Sequence, residues 1–170
     1  QDIEDLITCP KTITEPPRKE MRFERGSRRN EMTLRSEDGE RDYSVFMRVN
    51  ERFPENFSIV LHYHPRTEPR SMCLLRCNGP HGDFVGAPGA MSEHFLFHIH
   101  KAKPENIAAG LRAERGGERT DAYASYEQAL LHFLRVVCVV NAQDYFPEGV
   151  QLPLSFPEEV DHFLFYLFYE

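Results

Sequence analysis

The chain has 170 residues, 41% of them hydrophobic and 12% aromatic, and carries a formal net charge of −7. That length suits one domain with a single core, and that apolar content excludes a disordered chain. No apolar run reaches the ~18 residues a membrane span needs, and the acidic surplus argues against a general coat for nucleic acid.

The charge is unevenly spread. After Arg135 there is no Lys or Arg, while Asp144, Glu148, Glu158, Glu159, Asp161 and Glu170 add six negative charges. The first 135 residues hold 20 basic and 21 acidic groups, and arginine outnumbers lysine 16 to 4. Arginine's planar fork suits phosphate or carboxylate partners, although a coding sequence rich in G and C gives the same bias. The start, "QDIEDLITCPK", lacks the positive-then-apolar pattern of a signal peptide. Four cysteines (Cys9, Cys73, Cys77, Cys138) make no dense framework, so reduced thiols and a cytoplasmic location are the expectation.

In chain order, residues 2–8 read as a short helical turn stopped by "CPK", and "TEPPRKE" as a linker, because paired prolines refuse helix and ladder alike. "MRFERG" to "EMTLRSEDGE" reads as a weak hairpin or edge strands. "RDYSVFMRVN" alternates Tyr43, Val45, Met47 and Val49 against Ser44, Phe46, Arg48 and Asn50, which is strand periodicity. "FSIVLHYH" alternates likewise, and "RSMCLLRCN" is a third strand. A long loop, "GPHGDFVGAPGAMS", leads to a fourth at "EHFLFHIHKA". Short connections imply an antiparallel meander. Pro104 opens a helix of about two turns, limited by Gly110 and "RGGERT". Ser125 and Gln128 fit a capping box, and Ala129, Leu130, Phe133, Leu134 and Val137 recur on one helical face. "HFLFYLFY", near the end, is a buried strand or a last helix, or an interface for a second copy or another protein.

The expected fold is therefore α+β: an antiparallel meander of about four to six strands, packed on one main helix over about 125–138. The apolar C-terminal element completes the core, in a single domain over 1–170 with 1–20 loosely attached.

Parity places the candidate site. If Phe95, Phe97 and Ile99 face the core, His94, His98 and His100 face away. His62 and His64 likewise oppose Phe57, Ile59, Leu61 and Tyr63, and Arg48 opposes its own apolar neighbours; Arg76 sits in a strand apolar on both faces. Three chemistries suit such a face. In acid–base work on a phosphate, His98, His100 and His62 exchange protons while Arg76 or Arg48 steadies the charge; this needs no cofactor. In zinc or other divalent-metal binding, His62, His64, His98 and His100 supply four ligands. In the third reading the histidines simply tolerate a half-exposed strand. "HYHPRTE" also has the His-x-His-x-x-x-Glu spacing of the first cupin motif (His62, His64, Glu68), but its flanking glycines and the second motif are missing. His81 and Asp83 ride on the long loop as accessory candidates. Cys73 and Cys77 lie near histidines without a helix start to activate them. Phosphate-binding, dinucleotide-binding and nucleophile-elbow motifs are absent from the sequence.

"LLRCNGPHG" followed by "FLFHIHKA" resembles a set of small bacterial proteins carrying Leu-Leu-Arg-x-Asn/Asp-Gly, a loop with His, and a His-x-His strand. "RTDAYASYEQALLHFLRVVCV" is similar to their closing helix. More distantly, the chain is similar to the TumE class of toxin–antitoxin proteins, over roughly residues 43–140. The matching positions are Arg76, Asn78, His81, His98 and His100, with Asn78 standing where the toxin class tends to have Asp. The resemblance implies a small intracellular protein of toxin–antitoxin or mobile-element type, acting on RNA or meeting a cognate protein partner, without a membrane.

Overall fold

The structure, a computed structural model, describes residues 2–81 and 95–146. Helix α1 (Ile3–Thr8) is followed by strands β1 (Lys11–Glu15), β2 (Arg22–Glu24), β3 (Ser27–Ser36), β4 (Asp42–Asn50), β5 (Phe57–His64), β6 (Met72–Asn78) and β7 (His98–Lys101). Then come α2 (Pro104–Ala108), β8 (Gly117–Arg119), α3 (Tyr126–Val136) and a 3-10 turn at Ala142–Asp144.

The strands form one eight-stranded sheet in the order β1-β3-β4-β5-β6-β7-β8. Every pairing of these strands is antiparallel. Long β3 carries β1 and β2 end to end along one edge and β4 along the other. Arg25 and Gly26, at φ 50° and 74°, make the two-residue turn that folds β2 onto β3. The sheet is larger than the four to six strands the sequence predicts, because β1 and β8 are too short to show a period. β1 further hides itself by burying Lys11 where an apolar residue is expected.

One face makes the core, from Met32, Leu34, Tyr43, Val45, Met47, Phe57, Ile59, Leu61, Leu75 and Cys77. Helix α3 covers part of it with Ala129, Phe133 and Leu134. Its Ser125 cap accepts from the Gln128 N–H, while Gln128 Oε1 takes the Ala124 N–H rather than that of the cap residue itself. A single main helix is nevertheless not what the core face carries. Helix α1 buries Ile3, Leu6 and Ile7 in the same cluster, so the segment expected to be loosely attached is built into the core. The C-terminal apolar run, expected to complete the core, lies outside the described residues. The four cysteines are free, and no helix among the described residues is long and apolar enough to cross a membrane.

Candidate functional site

Directly opposed residues in an antiparallel sheet share a face, and the register places the site in rows running across the strands. One row reads Arg22, Arg29, Arg48, Ser58, Asn78, His98, Arg119. The next reads Glu31, Phe46, Val60, Arg76, His100, Gly117. The third holds Thr33, Ser44, His62 and Cys73, and His64 lies one step further beside Asp42. Arg48, Arg76, His62, His64, His98 and His100 thus all occupy the face opposite the core. Asp83 and His94 lie outside the described residues.

Sharing a face is not sharing a site. His62 lies two rows and two strands from His98, about 13 Å along the sheet and about 10 Å across it. The two His-x-His pairs therefore do not converge on one ion. Among the described residues no group of three or more His, Cys, Asp or Glu side chains is placed to hold a metal. His64 instead bonds Ser44 Oγ at 2.8 Å. Arg48 turns to the far end of its strand, giving Nη2 to Asn56 Oδ1 at 2.6 Å.

Two clusters remain. The first is buried. His98 is fully enclosed and His100 is 9% exposed, which the sequence pattern alone does not show. Ser58 Oγ donates to Asn78 Oδ1 at 2.7 Å, Asn78 Nδ2 meets His98 Nε2 at 3.2 Å, and His98 Nδ1 meets the Leu96 carbonyl at 2.7 Å. This chain runs across three strands and suits a neutral His98 with its proton on Nδ1. The His81 ring lies 4.9 Å and the His100 ring 5.0 Å from that of His98. Tyr123 locks the other face: its hydroxyl accepts from the Asn78 N–H at 3.1 Å and donates to the His98 carbonyl at 2.8 Å. Gly117 closes the roof, since a Cβ there would come within 3.0 Å of His100 Cε1 and 3.1 Å of His98 Cδ2.

The second cluster is open. A groove of about 680 Å³ is lined by His62, Arg70, Cys73, Arg76, Arg112 and Glu114, among others. The β6 strand supplies Arg76, and the loop between α2 and β8 brings Arg112 and Glu114 over it. Glu114 Oε1 is 2.7 Å from Arg112 Nη2 and 3.3 Å from Arg76 Nη2. Burial pushes the Glu114 carboxyl up, but hydrogen bonding to Arg112 and the charges of both arginines hold it below its ordinary value. Burial, then the Arg76 and His64 charges, pull His62 below its ordinary 6.5, with Glu114 opposing, so His62 is neutral at pH 7. Burial also raises Cys73 to about 11 and Cys77 to about 12, which leaves both as protonated thiols, in keeping with the lack of an activating helix start beside them. Arg70, Arg112 and Glu114 carry no signal in the sequence, because only the fold brings their loops to His62.

The lowered values have a consequence for stability. His132 is pulled down as well, by burial and then Arg135. The unfolded chain takes up protons on these two histidines near 6.5 while the folded chain resists, so stability falls as pH drops through that value. The urea midpoint should decline between pH 7 and about 5, and the decline should shrink in His132→Gln. A flat midpoint over that window contradicts the burial of these rings.

Comparison with protein families, curated proteins and solved structures finds no match for this chain.

Proposed function

We propose that this groove binds a phosphate of RNA and that the protein cleaves the strand there. One observation carries the reading: a histidine kept neutral lies beside Arg76, in a groove that Arg70 and Arg112 also line. A neutral imidazole accepts a proton at pH 7, and guanidiniums match the charge that grows on phosphorus oxygens. In this reading His62 takes the proton of a 2′-hydroxyl as its oxygen attacks phosphorus. A cyclic phosphate forms, the bond to the 5′-oxygen breaks, and solvent protonates that oxygen. Arg76 and Arg112 hold the phosphate, with Glu114 fixing both guanidiniums. His98 and His100, being buried, act as positioning residues: they set Asn78 and the β6–β7 pair from which Arg76 projects. The resemblance to TumE-class proteins supports a toxin–antitoxin setting, in which expression of the active protein slows bacterial growth.

The purified chain should cleave single-stranded RNA, and His62→Gln or Arg76→Gln should each reduce the rate about a hundredfold with the thermal midpoint little changed. The acidic limb of the rate profile should fall below pH 6.5, where His62 gains its proton. Absence of cleavage by the folded wild-type chain overturns the reading, as does full activity in His62→Gln.

A further inference from the structure

The groove occupies one end of the polar face, and the other end has a charge pattern that the sheet itself does not explain. Arg22, Arg29 and Arg48 stand directly opposite one another on β2, β3 and β4. Like charges placed opposite one another destabilise a sheet, and neighbouring strands are only about 4.8 Å apart. Compensation is thin. Glu24 reaches Arg29 Nη1 at 3.4 Å, and Glu31 lies one row away. Arg48 meets the neutral Asn56 and Ser27 side chains, and neither it nor Arg22 makes an ion pair among the described residues. Burial and the neighbouring Arg29 charge together pull the Arg48 guanidinium below its ordinary value.

Two further observations connect this end to the groove. Among the described residues, the buried side-chain nitrogens or oxygens without a hydrogen-bond partner are Arg29 Nε and Arg76 Nε. Both belong to the polar face, and each guanidinium keeps a donor unspent that a change of rotamer would offer to a bound oxygen. Between them, in the row of Arg76, stands Phe46, a half-buried aromatic ring beside the buried Val60, with Arg48 and Ser44 in the rows on either side of it. Arg29 and Arg76 are three strands and one row apart, about 16 Å. That exceeds the reach of one phosphate and suits a short run of backbone.

We infer that the Arg22–Arg29–Arg48 row with Phe46 is a second binding site on this face, along which a single-stranded nucleic acid lies across the strands and into the groove at Arg76. The inference rests on the RNA reading and names its substrate as a strand several nucleotides long. The guanidiniums take phosphates, and Phe46 takes the face of one base. This is the usual division of labour in sequence-tolerant single-strand binding. An acidic peptide would use the arginines alone, with no call on the ring.

The test measures binding of fluorescein-labelled oligouridylates, a dinucleotide and a strand of about ten residues, over a range of salt. Wild-type affinity should rise steeply with length. Arg22→Gln/Arg29→Gln should weaken the longer strand roughly tenfold at low salt and flatten its salt slope by about 1.4, since each phosphate contact on a single strand contributes about 0.7. Dinucleotide binding, confined to the groove, should not change. Phe46→Leu should weaken the longer strand with the salt slope intact. Arg22→Gln alone, on an exposed side chain, guards against misfolding as the cause. Should the double variant bind the longer strand as the wild type does while Arg76→Gln loses it, the second site is overturned and the groove stands. Length-dependent loss in the double variant without any cleavage by the wild type upholds the second site and removes the catalytic reading. Competition by polyglutamate that Phe46→Leu does not affect, or no binding of either oligonucleotide, overturns the inference.

Discussion

Lys11→Met should cost the fold about 3–5 kcal/mol, a large part of the 5–15 kcal/mol by which domains are stable. Lys11 is fully buried, and among the described residues no carboxylate pairs with it. Its ammonium spends its three protons on backbone: Ile7 O at 2.7 Å, Cys9 O at 2.7 Å and Val137 O at 3.2 Å. The first two carbonyls lie at the end of α1, which Pro10 prevents from continuing, and the third lies at the end of α3. One cation thus satisfies the C-terminal ends of two helices, where the helix dipoles favour positive charge. The Tyr43 ring lies 4.8 Å from the same nitrogen. Burial pulls the lysine below its ordinary value, yet the three acceptors give the charged form its reason to stay. Methionine fills the space and supplies no donor, and each buried acceptor left bare costs about 1–3 kcal/mol, moderated where water reaches it. The urea midpoint should fall with the slope unchanged. A loss below about 1 kcal/mol would show that the carbonyls find other donors.

What could be read in advance, and what could not, follows from the range of the forces involved. The strand period is local, so the common face of Arg48, His62, His64, His98 and His100 follows from alternation alone, and the register adds Arg76 to it. The row each residue occupies depends on loop lengths and on the irregularity between Leu61 and His62, where the β5–β6 register shifts. His98 pairs through Asn78 with Ser58, four residues before His62 on β5, and that register, invisible in the composition, separates His62 from His98. Glu114 and Gly117, which pack against the β7 histidines, lie beyond β7 in sequence and read there as part of a charged loop. The missed strands β1 and β8 are short, and the first of them contributes a lysine to the core. Length, period and caps are written locally, while register and roof are products of the assembled sheet.

Gly79→Ala should be the other severe lesion, about 3 kcal/mol, and it should damage both ends of the polar face together. Gly79 follows Asn78 at the end of β6, and its N–H bonds the Phe57 carbonyl at 3.1 Å. A Cβ there would fall far inside contact distance of the Glu55 carbonyl oxygen and 2.9 Å from Phe57 Cε1. The obstacle is backbone, so no side chain can swing clear. Either the end of β6 lifts or the turn through Glu55 retreats. If β6 lifts, Asn78 loses its register with Ser58 and His98, and the hydrogen-bonded chain across three strands opens. If the turn retreats, Asn56 moves with it, and Arg48 loses its 2.6 Å bond. In both cases the glycine of "LLRCNG" acts through close packing, which explains why that position needs no Cβ irrespective of any chemistry nearby. The substitution should lower the thermal midpoint of the chain by well over 5 °C. Amide exchange should be accelerated at Asn78 and Asn56 and not at Leu34, which is on a strand distant from the lesion. A midpoint within about 1 °C of wild type would mean that the turn yields freely, and Gly79 would then have no structural claim on the site.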